Sequence, residues 1–207
     1  MTMNIKNYFI LLGILCIATS CSNKSQQQNE EELECSCPHA TICLQPYEDF
    51  SKEEAEKLVP VLQENFDKWI YGGWEFKVLN PKKLPKESFV TSRNRYRAMT
   101  IMKSELKNLK GEEIIIGLTH KDICANAHGV QDYGIVGMSL KRNQVCIASD
   151  KRLSNKSDYW KPILHEFIHT FYGVGHCPDD DPKCIMKDAK GKGTFHIQEY
   201  LCEKCKQ

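Results

Sequence analysis

The chain has 207 residues, enough for a leader and one domain with a buried core, with 41% apolar residues and a formal net charge of +1. Both signs of charge are spread along it, which argues against a nucleic-acid binder. Its eleven cysteines are many for this length and point to an exported setting, to metal ligation, or to both.

The N-terminus reads as a targeting segment occupying residues 1–20. Lys6 supplies a positive start, and residues 8–18 form an apolar run too short for an ordinary membrane-spanning helix. Ala18-Thr19-Ser20-Cys21 then resembles a bacterial lipobox, with alanine in place of the usual leucine. That resemblance implies cleavage before Cys21 and its acylation, and hence a lipid-anchored protein of the bacterial cell envelope, periplasmic or at the cell surface. The competing outcomes are ordinary secretory cleavage nearby or an uncleaved anchor. Residues 21–40 are polar, lack apolar periodicity, and read as a flexible tether.

The domain spans residues 41–207. Residues 41–46 suggest a first strand. Ser51-Lys52-Glu53-Glu54 has the pattern of a capping box. Ala55, Leu58, Leu62 and Phe66 recur at helical spacing up to about Trp69, with a kink or break expected at Pro60. A strand follows over 74–79 and a loop over 80–86. The next helix is predicted over 88–110, with Met99, Met102, Leu106 and Leu109 on one face and Arg93, Arg95 and Arg97 on a solvated face. Residues 113–119 read as a buried strand, 121–132 as a loop, and 133–140 and 144–149 as two strands joined by a tight turn. A helix begins near Trp160-Lys161-Pro162 and ends at Gly173; a short one is expected around 195–200. This order predicts an α/β sandwich with a mixed sheet carrying one antiparallel edge strand. Cys124 and Cys146 flank the predicted hairpin and are a candidate disulfide; Cys35, Cys37 and Cys43 stay unassigned.

The chemistry concentrates in His165-Glu166-Phe167-Ile168-His169, followed by Gly173 and His176-Cys177. Two histidines four apart share a helix face and can reach one metal ion. Glu166 is placed to address a water on that metal. Gly173 lets the chain turn and return His176 as a third ligand. Three protein ligands with an open fourth position describe a catalytic zinc site. HExxH alone is a weak signal, but Leu164, Phe167, Ile168 and Phe171 make the helix apolar, and polar groups buried on it need a partner.

The stretch from His165 to Cys205 resembles the archaemetzincins, a metzincin family of zinc peptidases. It shares their order of HExxH, a third histidine followed by cysteine, then Cys184-Ile185-Met186, then Cys202-Glu203-Lys204-Cys205. Segments 93–98, 117–119 and 146–153 are also similar, so the resemblance covers most of 41–207. It implies a metzincin-like three-layer sandwich with an active-site helix and a cysteine-rich C-terminal zinc subregion. It further implies a Met-turn at Met186 and a second, structural zinc on Cys177, Cys184, Cys202 and Cys205. Two disulfides, or a redox-active CxxC, are the competing readings of those cysteines. Spacing departs from the family: one extra residue lies between His169 and His176, two extra between Cys177 and Cys184, and two fewer between Met186 and Cys202. The usual third-ligand position falls on Gly175, so His176 is the nearest candidate and Glu199 the alternative.

The expected activity is peptide-bond hydrolysis with two zinc ions per chain and Glu166 as general base, acting on an extended peptide or protein laid along strand 133–140. The expected state is a monomer that reaches the membrane only through its lipid and does not bind nucleic acid. The rival is a non-catalytic, zinc-stabilised surface module, which has no need of Glu166. His39, His120, His128 and His196 show no ligand spacing and read as surface or loop residues.

Overall fold

The computed structural model describes residues 41–206 apart from 112, 142, 191 and 193. The leader, Cys21, the tether, Cys35, Cys37 and His39 lie outside the described residues. No helix among the described residues is long and apolar enough to cross a membrane.

The chain forms β1 (Thr41–Pro46), α1 (Lys52–Trp69), β2 (Glu75–Val78), β3 (Phe89–Val90), β4 (Arg95–Arg97), α2 (Ala98–Leu106), β5 (Ile114–Thr119), β6 (Ile123–Ala127), β7 (Val130–Ile135), β8 (Gly137–Leu140), β9 (Val145–Ser149) and α3 (Trp160–Tyr172). The main sheet has the order β2-β1-β5-β9-β8. Its first four strands are parallel, and β8 pairs antiparallel with β9 at the border. The expected mixed sheet with one antiparallel edge strand is therefore present.

Alternation along the strands sorts side chains to two cores. Ile42, Leu44, Ile114, Ile116, Leu118, Cys146 and Ala148 join α1 and α3 on one face. Cys43, Ile115, Val145 and Ile147 join α2 on the other. Helices thus cover both faces, as a largely parallel sheet requires. Phe66 of α1 and Phe167 of α3 meet in the first core with ring centroids 4.8 Å apart.

α1 begins with the predicted capping box: the Glu54 amide donates to Ser51 Oγ at 3.1 Å, and the Ser51 amide to Glu54 Oε2 at 2.8 Å. The helix runs on through Pro60, contrary to the expected break. Pro60 lies on the exposed side, where water can serve the carbonyl that its missing N–H leaves over.

The helix expected over 88–110 shrinks to α2. Asn94 adopts a left-handed φ of 50°, and Tyr96 and Arg97 pair with Ile123 and Cys124 of β6 instead of coiling. The basic cluster is no helix face. Arg95 Nε donates to Asp122 at 2.8 Å, Arg97 Nε to Asp132 at 2.8 Å, and Arg152 to both oxygens of Asp122.

The expected loop 121–132 is also corrected. It holds β6 and the start of β7, joined at His128 and Gly129, whose φ values of 52° and 73° suit a type I′ hairpin turn. These strands form a second sheet of order β3-β4-β6-β7. The single strand expected over 133–140 is two strands in different sheets, split at Val136. Cys124 therefore stands in the second sheet and Cys146 in the main one. Both thiols are free, which overturns their proposed disulfide. Near the C-terminus, residues 194–197 form one 3₁₀ turn where a short helix was expected.

Candidate metal centres

α3 builds the first centre. It ends at Gly173, whose φ of 69° is the left-handed cap that a β-carbon would strain, and whose amide donates to the His169 carbonyl at 3.1 Å. The turn brings the Val174 carbonyl back to His169, which donates to it from Nδ1 at 2.8 Å. His165 Nδ1 donates to the Ile185 carbonyl at 2.7 Å.

A carbonyl only accepts, so both Nδ1 atoms carry the proton and both Nε2 atoms present lone pairs. Those Nε2 atoms face each other across 3.0 Å. Burial, with the neighbouring His169 adding to it, lowers His165 to about 3, and burial lowers His169 to about 4. Near neutrality neither ring is protonated, and two facing lone pairs call for a cation. The donor set therefore fits a metal, with the carbonyls fixing ring orientation from behind.

His176 completes the group. Its ring centroid lies 4.8 Å from that of His169 and 5.3 Å from that of His165, and one ligand atom from each histidine falls within 4.8 Å of the others. The extra residue lies between His169 and Gly173, in the last turn of α3, and two residues separate Gly173 from His176. Glu199, the alternative ligand, pairs with Lys183 at 3.2 Å on the surface, away from the imidazoles. His165 and His169 are buried while His176 is exposed, so the group is reached from one side.

Glu166 is buried beside this group and lines a cavity of about 150 Å³ with His165, His176, His128 and Asp188. Burial pushes its carboxyl up to about 8, opposed by a hydrogen bond from Ser139 of β8. Gly137, the first residue of β8, determines where that carboxyl can sit. A β-carbon there would come within 2.6 Å of Glu166 Cγ and 2.7 Å of Oε1. Gly137→Ala is therefore expected to displace the carboxylate and lower turnover about 100-fold while leaving metal content and melting temperature nearly unchanged. Steady-state kinetics beside metal analysis checks this, and unchanged kinetics would refute it. A glycine within a strand is a general signal of close approach, and it was the only trace of this contact in the sequence.

The second centre gathers Cys177, Cys184, Cys202 and Cys205, whose sulfurs all lie within 4.8 Å of one another. Cys177 Sγ lies 3.7 Å from Cys202 Sγ, and the Cys202 amide 3.5 Å from Cys184 Sγ. Burial raises Cys184 to about 11. Burial also raises Cys205, joined by its contacts with Cys202 and Cys184. For Cys177 burial acts upward, but hydrogen bonds from the backbone N–H groups of Asp181 and Asp179 and from the Cys202 and Cys205 side chains together hold the thiol below its ordinary value. Four thiolates this close repel one another unless a cation sits among them, so this donor set fits a soft divalent metal.

Two contacts tie the centres together. The Cys177 amide donates to the Met186 carbonyl at 2.8 Å, and the Ile185 amide to Tyr200 O at 2.7 Å, so the segment that orients His165 is held by the cysteine-rich tail. Met186 is fully buried in the α1/α3 core. Sequence reasoning missed Gly137, Ser139 and Asp188, and placed His128 at an unremarkable surface. A larger hollow of about 490 Å³, on the α2 side of the sheet near Lys82 and Asn108, holds no such convergent ligand set among the described residues.

No protein-family model matches the sequence, and no curated protein matches it. Solved structures do match. An archaemetzincin from Methanopyrus kandleri aligns with a TM-score of 0.65 and 24% identity over 81% of this chain and 91% of its own. An archaemetzincin from Archaeoglobus fulgidus, complexed with malonate, gives 0.63 and 22% over 80% and 97%. A zinc-dependent peptidase from Methanocorpusculum labreanum gives 0.62 and 20% over 79% and 97%. With both donor clusters assembled on a mixed sheet of matching architecture, the chain has the fold of the archaemetzincins.

Proposed function

We propose that the protein is a zinc-dependent peptidase with Glu166 as its general base. The observation that carries this reading is the pair of Nε2 lone pairs at 3.0 Å on α3, joined by His176 and bordered by a buried carboxylate. The fold neighbours, one of them a zinc-dependent peptidase, support it.

His165, His169 and His176 would hold the catalytic ion. Zinc bound there supplies Lewis acidity, bringing the pKa of a coordinated water to about 7 and polarising a carbonyl. The positive charge also counters the burial that raises Glu166 and favours its carboxylate. Glu166 takes the proton of the attacking water and passes it to the departing amine. Ser139 and Gly137 hold the carboxylate at the required place. β8, the free border of the main sheet, offers main-chain groups to an extended substrate.

Cys177, Cys184, Cys202 and Cys205 hold a second, structural zinc. The domain acts as a monomer tethered through residues 21–40 to lipid on Cys21 at the bacterial cell envelope, with peptides or proteins as substrates. The tests are direct. The full chain is expected to carry two zinc ions by elemental analysis, and chelation should abolish casein hydrolysis until zinc is restored. Hydrolysis that survives complete metal removal would end the peptidase reading. One zinc per chain, with the tail thiols oxidised, would end the structural-zinc reading.

A further inference from the structure

Peptide hydrolysis of this kind requires a hydrogen-bond donor for the carbonyl oxygen as it gains charge. Neither α3 histidine has an N–H to spare, because His165 and His169 spend theirs on the Ile185 and Val174 carbonyls. Glu166 is occupied with the water. The donor must come from another wall of the cavity.

His128 stands on that wall. It occupies the tip of the β6–β7 hairpin of the second sheet and lines the same cavity as His165, Glu166 and His176, which α3 and its following loop supply. Its left-handed φ of 52° turns it out of the strand, and its ring packs edge-on against Tyr133 at 5.3 Å. Tyr133 donates to the Lys190 carbonyl at 2.7 Å, which fastens the hairpin to the segment beyond Met186. From that segment the Asp188 carboxylate, held by the Lys190 amide at 2.8 Å, acts on both His128 and His176. Among the described residues, neither ring nitrogen of His128 has a hydrogen-bond partner. The imidazole thus borders the cleft with its ring N–H unspent.

The geometry points to His128 as a catalytic residue that donates a hydrogen bond to the carbonyl oxygen of the scissile peptide. This rests on the peptidase reading. The water oxygen bonds to the carbonyl carbon as its proton passes to Glu166. The carbonyl π pair moves onto oxygen, where His128 donates without giving up its proton. On collapse the C–N bond breaks, and Glu166 returns the proton to the leaving amine.

The test uses His128→Asn in the full chain, since asparagine tolerates the left-handed backbone but is too short to reach. Turnover number is expected to fall about 100-fold, with KM, zinc content and melting temperature nearly constant. A second readout needs no turnover. Affinity for a phosphinic peptide, which carries a tetrahedral anionic oxygen, should fall about 100-fold, while affinity for the corresponding product peptide changes less than about threefold. Equal losses for both ligands would make His128 a general contact and overturn the proposal. So would unchanged turnover, or a loss seen only with Lys190→Gln, since Lys190 lines the same cavity. If the wild type binds the phosphinic peptide more tightly than the variant yet hydrolyses nothing, the peptidase reading fails and the catalytic role of His128 falls with it, leaving a donor to a tetrahedral anionic oxygen.

Discussion

Replacing Glu166 by glutamine is expected to lower the turnover number about 1,000-fold while zinc remains bound. Glutamine has the shape of the native side chain, so it fits beneath Gly137 and still meets Ser139 on β8. What it lacks is a basic oxygen. Since His165 and His169 are tied to carbonyls, no imidazole on α3 is free to take over the proton. KM should change little, because the carboxylate acts on the water and not on substrate binding. Comparison of kcat, KM and zinc content in wild type and variant decides it. Retention of more than a tenth of the wild-type turnover would remove Glu166 from its role.

The second large effect is expected from Cys205→Ser. Loss of one sulfur from a four-thiolate site should release one zinc per chain and lower folding stability by about 3–5 kcal/mol. Activity should fall with it. Cys177 follows His176 directly, and the hydrogen bond from its amide to the Met186 carbonyl holds the segment whose Ile185 carbonyl orients His165. Denaturant titration with and without chelator measures the stability. If reductant alone destabilises the wild type and chelator does not, disulfides rather than zinc join these cysteines.

The two donor clusters were legible because their spacing carries the geometry. Histidines four apart must share a helix face, and cysteine order survives even when loop lengths change. The one-residue insertion did no harm, since it falls before Gly173, where α3 takes it up ahead of its left-handed cap. Main-sheet strands such as β5 were legible from their unbroken apolar runs.

The second sheet was not. Its strands are short, carry Asn126, Gln131, Asp132 and arginines, and are joined to one another by the Arg95–Asp122 and Arg97–Asp132 ion pairs and to the rest by Arg152–Asp122, all across long sequence separations. Residues 88–97 show the same failure from the other side, where pairing of Tyr96 with Ile123 overrode an apparent helical pattern. Gly137 and His128 matter only through neighbours brought from other elements, Glu166 in one case and Asp188 in the other. No periodicity within their own segments encodes that.

β8 ends the main sheet with no further strand beyond it among the described residues. A row of unsatisfied main-chain donors and acceptors does not discriminate between a substrate and a second copy of the protein. Its four-residue length, ending against Lys141, limits how much of another strand it can capture. Lengthening β8 or neutralising that lysine should therefore carry a solubility penalty: what makes the groove hospitable to extended chains also makes it a nucleus for self-association.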